Sequence, residues 1–266
     1  MKPAPFQYEA ARSLTQALAL LGDEDAKALA GGQSLVPLLN FRLARPALLV
    51  DLNPIAELAY LRRAGGRLRI GALTRQATLE RSAVVQRGWP LLQHAVRMVG
   101  HPAIRSRGTV GGSVAHADPS AELPVALAAL DATFHLRSAA GERTVGAADL
   151  FRGAMTTSIA SDELLTEIEV PPAPEGARMA FVEHARTHGD FAVAGAAVVL
   201  APGVHAAIAL LGAGATPVRA AAAERALLAG ATDPEVAALA GAELRDEYRG
   251  ALVAALVRRA LEYTRR

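Results

Sequence analysis

Arg105-Ser106-Arg107-Gly108-Thr109-Val110-Gly111-Gly112-Ser113 runs on past His116 into Ala117-Asp118-Pro119-Ser120-Ala121-Glu122-Leu123-Pro124. A Gly-Gly step beside small hydroxyl side chains lets the backbone approach a ligand closely and turn its N–H groups toward an anion. A second step of the same make stands earlier, at Ala30-Gly31-Gly32-Gln33-Ser34. Each alone also reads as a tight turn. Together, two such loops would hold both phosphates of one diphosphate. The earlier one is not a P-loop, because no Gly-Lys-Ser/Thr follows, and its glycine spacing is not that of a Rossmann fingerprint. It sits between a strand and a helix, where free N–H groups and a partial positive charge suit phosphate. Asp118 and Glu122, acceptors only when ionised, suit ribose or adenine donors. They equally suit the N-terminus of the apolar helix expected over 121–130.

Outward from these loops the chain reads as alternating short elements. Ser13-Leu14-Thr15-Gln16 reads as a capping box opening a helix that ends near Gly22. A strand at 26–30, a helix at 34–44 and a strand at 47–52 make the first 55 residues β-α-β. A hairpin over 58–70 turns at Ala64-Gly65-Gly66. A helical stretch over 76–99 breaks near Gly88-Trp89-Pro90, and the second glycine loop follows it. Strands are expected at 133–137, 143–145 and 164–170. Pro171-Pro172-Ala173-Pro174-Glu175-Gly176 has no periodicity and reads as a linker. Beyond it lie three strand-like runs (179–186, 192–200, 205–211) and two helices (220–229, 247–263). That is a meander with helices on one face, an α+β arrangement.

The 266 residues suffice for a sizeable core, and 52% are apolar, although only 4% are aromatic. The net charge is +2 and the arginines are scattered without interleaved aromatics, which argues against a nucleic-acid surface. No cysteine is present, so this chain supplies no disulfide, thiolate nucleophile or iron–sulfur ligand. No apolar run is long enough for a transmembrane helix, the start lacks the apolar region of a secretory signal, and a cytoplasmic protein is expected. His101, His116, His184, His188 and His205 form no metal-ligand pair. No Gly-x-Ser-x-Gly elbow anchors a hydrolase triad. Gly212-Ala213-Gly214-Ala215-Thr216-Pro217 reads as a turn. Arg186-Thr187-His188-Gly189-Asp190-Phe191-Ala192 reads as a hairpin loop whose Phe191 is placed to stack on an aromatic ring system.

Taken together, the motifs at 30–34, 51–52, 105–113, 117–124 and 189–192 resemble the FAD-binding medium subunit of the molybdenum hydroxylases. That family includes the carbon monoxide dehydrogenase flavoprotein and the flavin portion of xanthine dehydrogenase. The resemblance implies a vanillyl-alcohol-oxidase-like (PCMH-type) FAD-binding fold. Two α/β subdomains, 1–56 and 57–172, would enclose non-covalent FAD, and a C-terminal α+β domain would span 177–266. It implies that Ala30, Gly31, Gly32, Gln33 and Ser34 hold the diphosphate from one side, and Thr109, Gly111, Gly112 and Ser113 from the other. Asp118 and Glu122 fall where the family binds the ribityl, ribose or adenine part. Leu165 falls near the flavin-contacting strand. Phe191 matches an aromatic position near the isoalloxazine that often carries Tyr. His101, His116 and Arg186 complete the implied cofactor set. No catalytic side chain and no metal are assigned to this chain.

The implied partners are a large subunit carrying the molybdenum cofactor and a small subunit carrying two [2Fe–2S] clusters, as a dimer of heterotrimers. Electrons would pass from the clusters through FAD to NAD, a quinone, a cytochrome or oxygen. Two alternatives stand beside this reading. One is a self-sufficient FAD-dependent oxidase or reductase, and the other is an alanine-rich scaffold whose glycine turns are structural.

Overall fold

The computed structural model describes residues 2–265. Its first sheet is parallel, in the order β1-β3-β2, from β1 (Gln7–Ala10), β2 (Ala26–Leu29) and β3 (Leu48–Asp51). Helix α1 (Leu14–Leu20) begins where Ser13 accepts the Gln16 N–H, while the Gln16 side chain accepts the Arg12 N–H one residue outside the cap. Its Leu14, Ala17 and Leu18 bury against Val50 and Leu52. Helix α2 (Leu35–Asn40) stops four residues before the expected 44. Arg42 takes a left-handed φ of 58°, and the Phe41 and Leu43 N–H groups turn back to the Pro37 and Leu38 carbonyls. Strand β1, four exposed residues with no alternation of apolar and polar character, gave no sequence signal.

The second sheet is antiparallel and five-stranded. Its strands are β4 (Leu61–Ala64), β5 (Arg67–Gly71), β6 (Thr133–Arg137), β7 (Glu142–Gly146) and β10 (Leu164–Val170), in the order β4-β5-β10-β6-β7. The β4–β5 hairpin turns at Gly65 and Gly66, both at positive φ, as a two-residue hairpin loop favours. Between β5 and β6 lie α3 (Gln76–Arg81), α4 (Ala83–Gly88), α5 (Pro90–Met98), α6 (Pro102–Arg107), α7 (Val110–His116) and α8 (Glu122–Ala129). The expected stretch 76–99 breaks twice. Ser82 ends α3 and caps α4 through the Val85 N–H, and Pro90 starts α5. All eight residues of α8 are buried, so it is the central helix of the largest core cluster. A short helix α9 (Ala147–Leu150) and the two-stranded β8 (Phe151–Gly153) and β9 (Thr156–Thr157) precede β10.

Residues 171–176 form no helix or strand. They are nonetheless anchored: the buried Trp89 donates its indole N–H to the Pro171 carbonyl at 2.7 Å. The third sheet orders β11 (Arg178–His184), β12 (Ala194–Ala201), β13 (His205–Leu211) and β14 (Val218–Arg219). The expected three-stranded meander is therefore corrected to four strands. The fourth is two residues long and holds Arg219, which pairs with Glu224 and Asp131. Helices α10 (Ala221–Leu228), α11 (Asp233–Gly241) and α12 (Glu247–Arg265) cover one face, meeting Ala196, Val198 and Leu200. The other face is covered as well. Met179, Phe181, Ala197 and Val199 share a core with α5 and α8, so helices lie on both faces rather than one. Every residue of β12 is buried, which explains its small, uniformly apolar sequence. Helix α11 was missed, although Thr232 through Glu235 carries its start: the Glu235 carboxylate accepts both the Thr232 N–H and O–H at 2.8 Å. Gly241 and Gly250 let α11 and α12 cross closely, since a Cβ on Gly241 would lie 2.6 Å from the Gly250 carbonyl oxygen.

Candidate FAD-binding site

The first arm is the turn from β2 into α2. Gly32 has φ +75°, a conformation that favours glycine. Among the described residues, the N–H groups of Gly32, Gln33, Ser34 and Leu35 donate to no protein acceptor. Ser34 makes no capping bond, and the Gln33 amide turns back to the Gly31 carbonyl at 3.3 Å. Four successive free donors at a helix start are chemically suited to anionic oxygens.

The second arm differs from its expected form. Gly111 and Gly112 lie in the first turn of α7 rather than in a loop, with Thr109 as the capping residue. Their N–H groups are already used: Gly111 donates to the Ala72 carbonyl at 2.9 Å and Gly112 to the Thr109 hydroxyl oxygen at 3.0 Å. These glycines are needed for contact. A Cβ on Gly111 would lie 2.6 Å from Ala72 Cβ, and one on Gly112 would lie 2.6 Å from Thr109 Oγ1. What this arm can offer an anion is the hydroxyl proton of Thr109, whose oxygen is the acceptor of the Gly112 N–H, and the hydroxyl of Ser113.

The two arms touch. A Cβ on Gly31 would lie 2.5 Å from the Arg107 carbonyl oxygen and 2.8 Å from Gly108 Cα, and Ala30 faces Gly112. Residues that sequence reasoning missed tie them together. Asn53 donates to the Ala30 carbonyl at 2.9 Å, and Arg75 donates to Asn53 Oδ1 at 2.6 Å and to the Arg107 carbonyl. Asp51 closes the network, accepting from Asn53 and from the Tyr8 hydroxyl. Burial pushes the Asp51 carboxyl up, but those hydrogen bonds and the Arg107 guanidinium outweigh it and hold the group below its usual range. The only sequence signal was the Asp-Leu strand end before Asn53-Pro54.

Beyond α7 the site becomes acidic and drier. His116 is half-buried; burial lowers its pKa, Asp118 opposes this and Lys27 adds to it. Asp118 accepts the Ser120 N–H at 2.8 Å, which shapes the turn into α8. Glu122 opens α8 and is 7% exposed. Burial pushes its carboxyl up to about 8; its own N–H lowers it, and Glu183 and Asp118 raise it further. Glu183, on β11, was not foreseen. Burial pushes it up to about 7, and both its carboxylate oxygens are buried without a partner among the described residues.

The third group gathers at the turn between β11 and β12. The Val193 N–H closes that hairpin on the His184 carbonyl at 2.8 Å. His101, at the start of α6, packs under Gly189, where a Cβ would lie 2.7 Å from the imidazole Cε1. Phe191 is 77% exposed. With Arg186, Asp190, Pro119 and Arg249 it rims a cavity of about 660 Å³. Leu165 stands apart: its side chain is buried in the main core, beside an irregularity in the β10–β6 pairing between Leu165 and Glu167. His135, Glu167 and Glu169, on the second sheet, have ligand atoms within 4.8 Å of one another. Arg69 and Arg67 already hold Glu169 at 3.0 and 3.1 Å, so this acidic group is charge-balanced within the protein.

Free N–H donors thus gather where the small parallel sheet adjoins the helices that follow the larger antiparallel one. Residues 4–173 match the family described as FAD binding domain in molybdopterin dehydrogenase, and the chain belongs to that family. It is thereby an oxidoreductase subunit whose cofactor is FAD. Among its relatives, the 6-hydroxypseudooxynicotine dehydrogenase complex subunit alpha of Paenarthrobacter nicotinovorans is 46% identical over 86% of this chain and 79% of its own. The carbon monoxide dehydrogenase medium chain of Afipia carboxidovorans is 37% identical over 98% of this chain and 97% of its own. Among solved structures, carbon monoxide dehydrogenase from Hydrogenophaga pseudoflava matches with a TM-score of 0.94 at 38% identity, covering 99% and 98% of the two chains. Among the described residues no helix is long and apolar enough to cross a membrane.

Proposed function

We propose that this chain is the FAD-binding, electron-transfer subunit of a multisubunit molybdenum-containing dehydrogenase. It would take electrons from [2Fe–2S] clusters on a small partner and pass them to an external acceptor. A large partner would carry the molybdenum cofactor, the assembly would be a dimer of heterotrimers, and its place would be the cytoplasm. Relatives named as subunits or medium chains of dehydrogenase complexes support the division of labour, and so does a chain without cysteine. In this reading the fold is of the PCMH type, with FAD between segments 1–56 and 57–172 and residues 177–266 as the third unit.

The observation that carries the reading is the row of free N–H groups from Gly32 to Leu35, next to Ala30 and Gly31, which touch Gly112, Arg107 and Gly108. These donors fit the diphosphate of FAD, with the Thr109 and Ser113 hydroxyls on its other side. Bound FAD supplies a carrier that accepts two electrons and releases them singly or together. The chain's own part is to bind and orient it. Asp118 and Glu122 would accept from the sugar hydroxyls, and Glu122, kept protonated near neutral pH, would donate as well. Phe191, held on the turn above His101, would cover the ring system with its exposed face. Electron transfer asks for no side-chain acid or base.

The test is purification of the chain with its genomic neighbours and alone. The reading expects bound FAD in both, with molybdenum and iron only in the complex. FAD with neither metal, in a preparation that oxidises a substrate unaided, would favour a self-sufficient oxidase. A colourless chain that takes up no FAD would leave only a scaffold.

A further inference from the structure

The two arms of the cradle come from different parts of the fold, and the hydrogen bonds that join them run mainly through side chains. The first arm hangs from β2 of the parallel sheet, and the second follows α6 in the helical run after β5. What spans the seam is a chain of side-chain hydrogen bonds. It runs from the Arg107 carbonyl to the Arg75 guanidinium, on to Asn53 Oδ1 at 2.6 Å, and from the Asn53 amide to the Ala30 carbonyl at 2.9 Å. Both ends of this chain lie against Gly31: Ala30 precedes it, and the Arg107 carbonyl is the atom its absent Cβ would strike. The backbone of Arg75 is also tied to the second arm, by a β-bridge to Thr109.

We infer that Arg75, acting with Asn53, is a positioning residue that sets the separation of the two arms and thereby the affinity for FAD. This inference rests on the reading that the cradle takes FAD. The chemistry favours arginine here. A planar guanidinium presents several donors in one rigid fork and joins two acceptors on different elements, which a lysine ammonium on a flexible stem does poorly. The site is also costly for a cation. Burial and the neighbouring Arg107 guanidinium both lower the Arg75 pKa, and Asp51 opposes them. Asp51 in turn is fixed by Tyr8 and by the Asn53 backbone N–H. The clasp therefore draws on both sides of the seam, from Tyr8 on β1 to Arg107 at the end of α6.

Because the chain has no cysteine, two can be introduced and spin-labelled without background. Leu43, beyond α2, and Ser106, in α6, are both exposed and lie on opposite sides of the seam. In this labelled full-length chain, Arg75→Met should broaden the distance distribution between the labels and raise the FAD dissociation constant by about tenfold or more, as expected for loss of charge-assisted bonds. Asn53→Ala, which cuts the clasp from its other end, should do the same, and the double variant should be little worse than either single one. Arg75→Lys keeps the charge without the fork and should behave like Arg75→Met. Recovery of affinity in Arg75→Lys would overturn the inference, because Arg75 would then act by charge. So would a loss of affinity with an unchanged label distribution. If the parent chain binds no FAD, the functional reading fails, and the label distributions alone still decide whether the clasp sets the spacing.

Discussion

Replacing Gly31 by alanine should push the two arms apart. The added Cβ would lie 2.5 Å from the Arg107 carbonyl oxygen and 2.8 Å from Gly108 Cα. Ordinary contact begins near 3.4 Å, so the oxygen must retreat by 0.9 Å, the difference between 3.4 and 2.5. Neither neighbour is the end of a flexible side chain, so the strain has to move backbone. Overpacking of this kind costs about 1–3 kcal/mol. If the cost falls on the closed cradle, the FAD dissociation constant rises by roughly 5- to 150-fold, at 1.4 kcal/mol per factor of ten. Titration of the apo-chain with FAD, followed by quenching of flavin fluorescence, reads this directly. Gly146→Ala is the control, since a Cβ there meets nothing within 4 Å. Gly31→Ala binding FAD as tightly as the control would refute the reasoning that the seam at Gly31 shapes the cofactor site.

Three further outcomes follow from the same geometry. Glu122 has a folded-state pKa of about 8, above its unfolded value. Its protonated form is thus the one folding favours, so its stabilisation is full below the unfolded pKa and fades as pH rises through about 8. Glu122→Gln should leave the apo-chain's melting temperature nearly unchanged at acid pH and raise it above that of the parent at alkaline pH; melts across this range check it, and parallel curves would contradict it. Phe191→Ala should change stability by less than about 0.5 kcal/mol, because the ring is exposed, while weakening FAD binding by roughly 2- to 13-fold if the ring stacks on the flavin. Calorimetry and FAD titration separate the two effects. Gly241→Ala should lower the melting temperature by forcing α11 off α12, with FAD affinity unchanged, since that crossing belongs to the third sheet's helices.

Much of the fold was legible because its elements carry local signals. Ser13, Pro90 and the Gly65-Gly66 pair mark boundaries that the structure keeps, and the three long strands of the third sheet each carry an apolar run, Met179 to Val182, Ala194 to Ala201 and Ala206 to Leu211. Elements without such signals were missed. Strand β1 is exposed throughout and exists because it pairs with β3. Strand β14 exists because it pairs with β13 and carries the ion pairs of Arg219. Helix α11 lies outside the expected elements although Thr232-Asp233-Pro234-Glu235 carries a helix start. At the site, the two Gly-Gly steps look alike in composition but differ in the fold. One pair leaves donors free, and the other packs a helix start against Ala72. Composition cannot separate these, because the acceptor that uses up the Gly111 N–H lies 39 residues earlier, at Ala72. Arg75 and Glu183 escaped notice for a similar reason. Their meaning comes from partners, or the want of them, that only the folded chain shows.

In the proposed site the first-arm donors and the second-arm hydroxyls would hold the diphosphate of FAD. The most direct measurement is release and mass identification of the chromophore from the purified full-length chain, with its amount set against protein. The expected result is a yellow protein releasing FAD in equimolar amount, and a Gly32→Asp variant, which places a carboxylate among the free N–H groups, that folds but carries none. A colourless parent chain that fails to take up added FAD, or a Gly32→Asp variant as yellow as the parent, would contradict it.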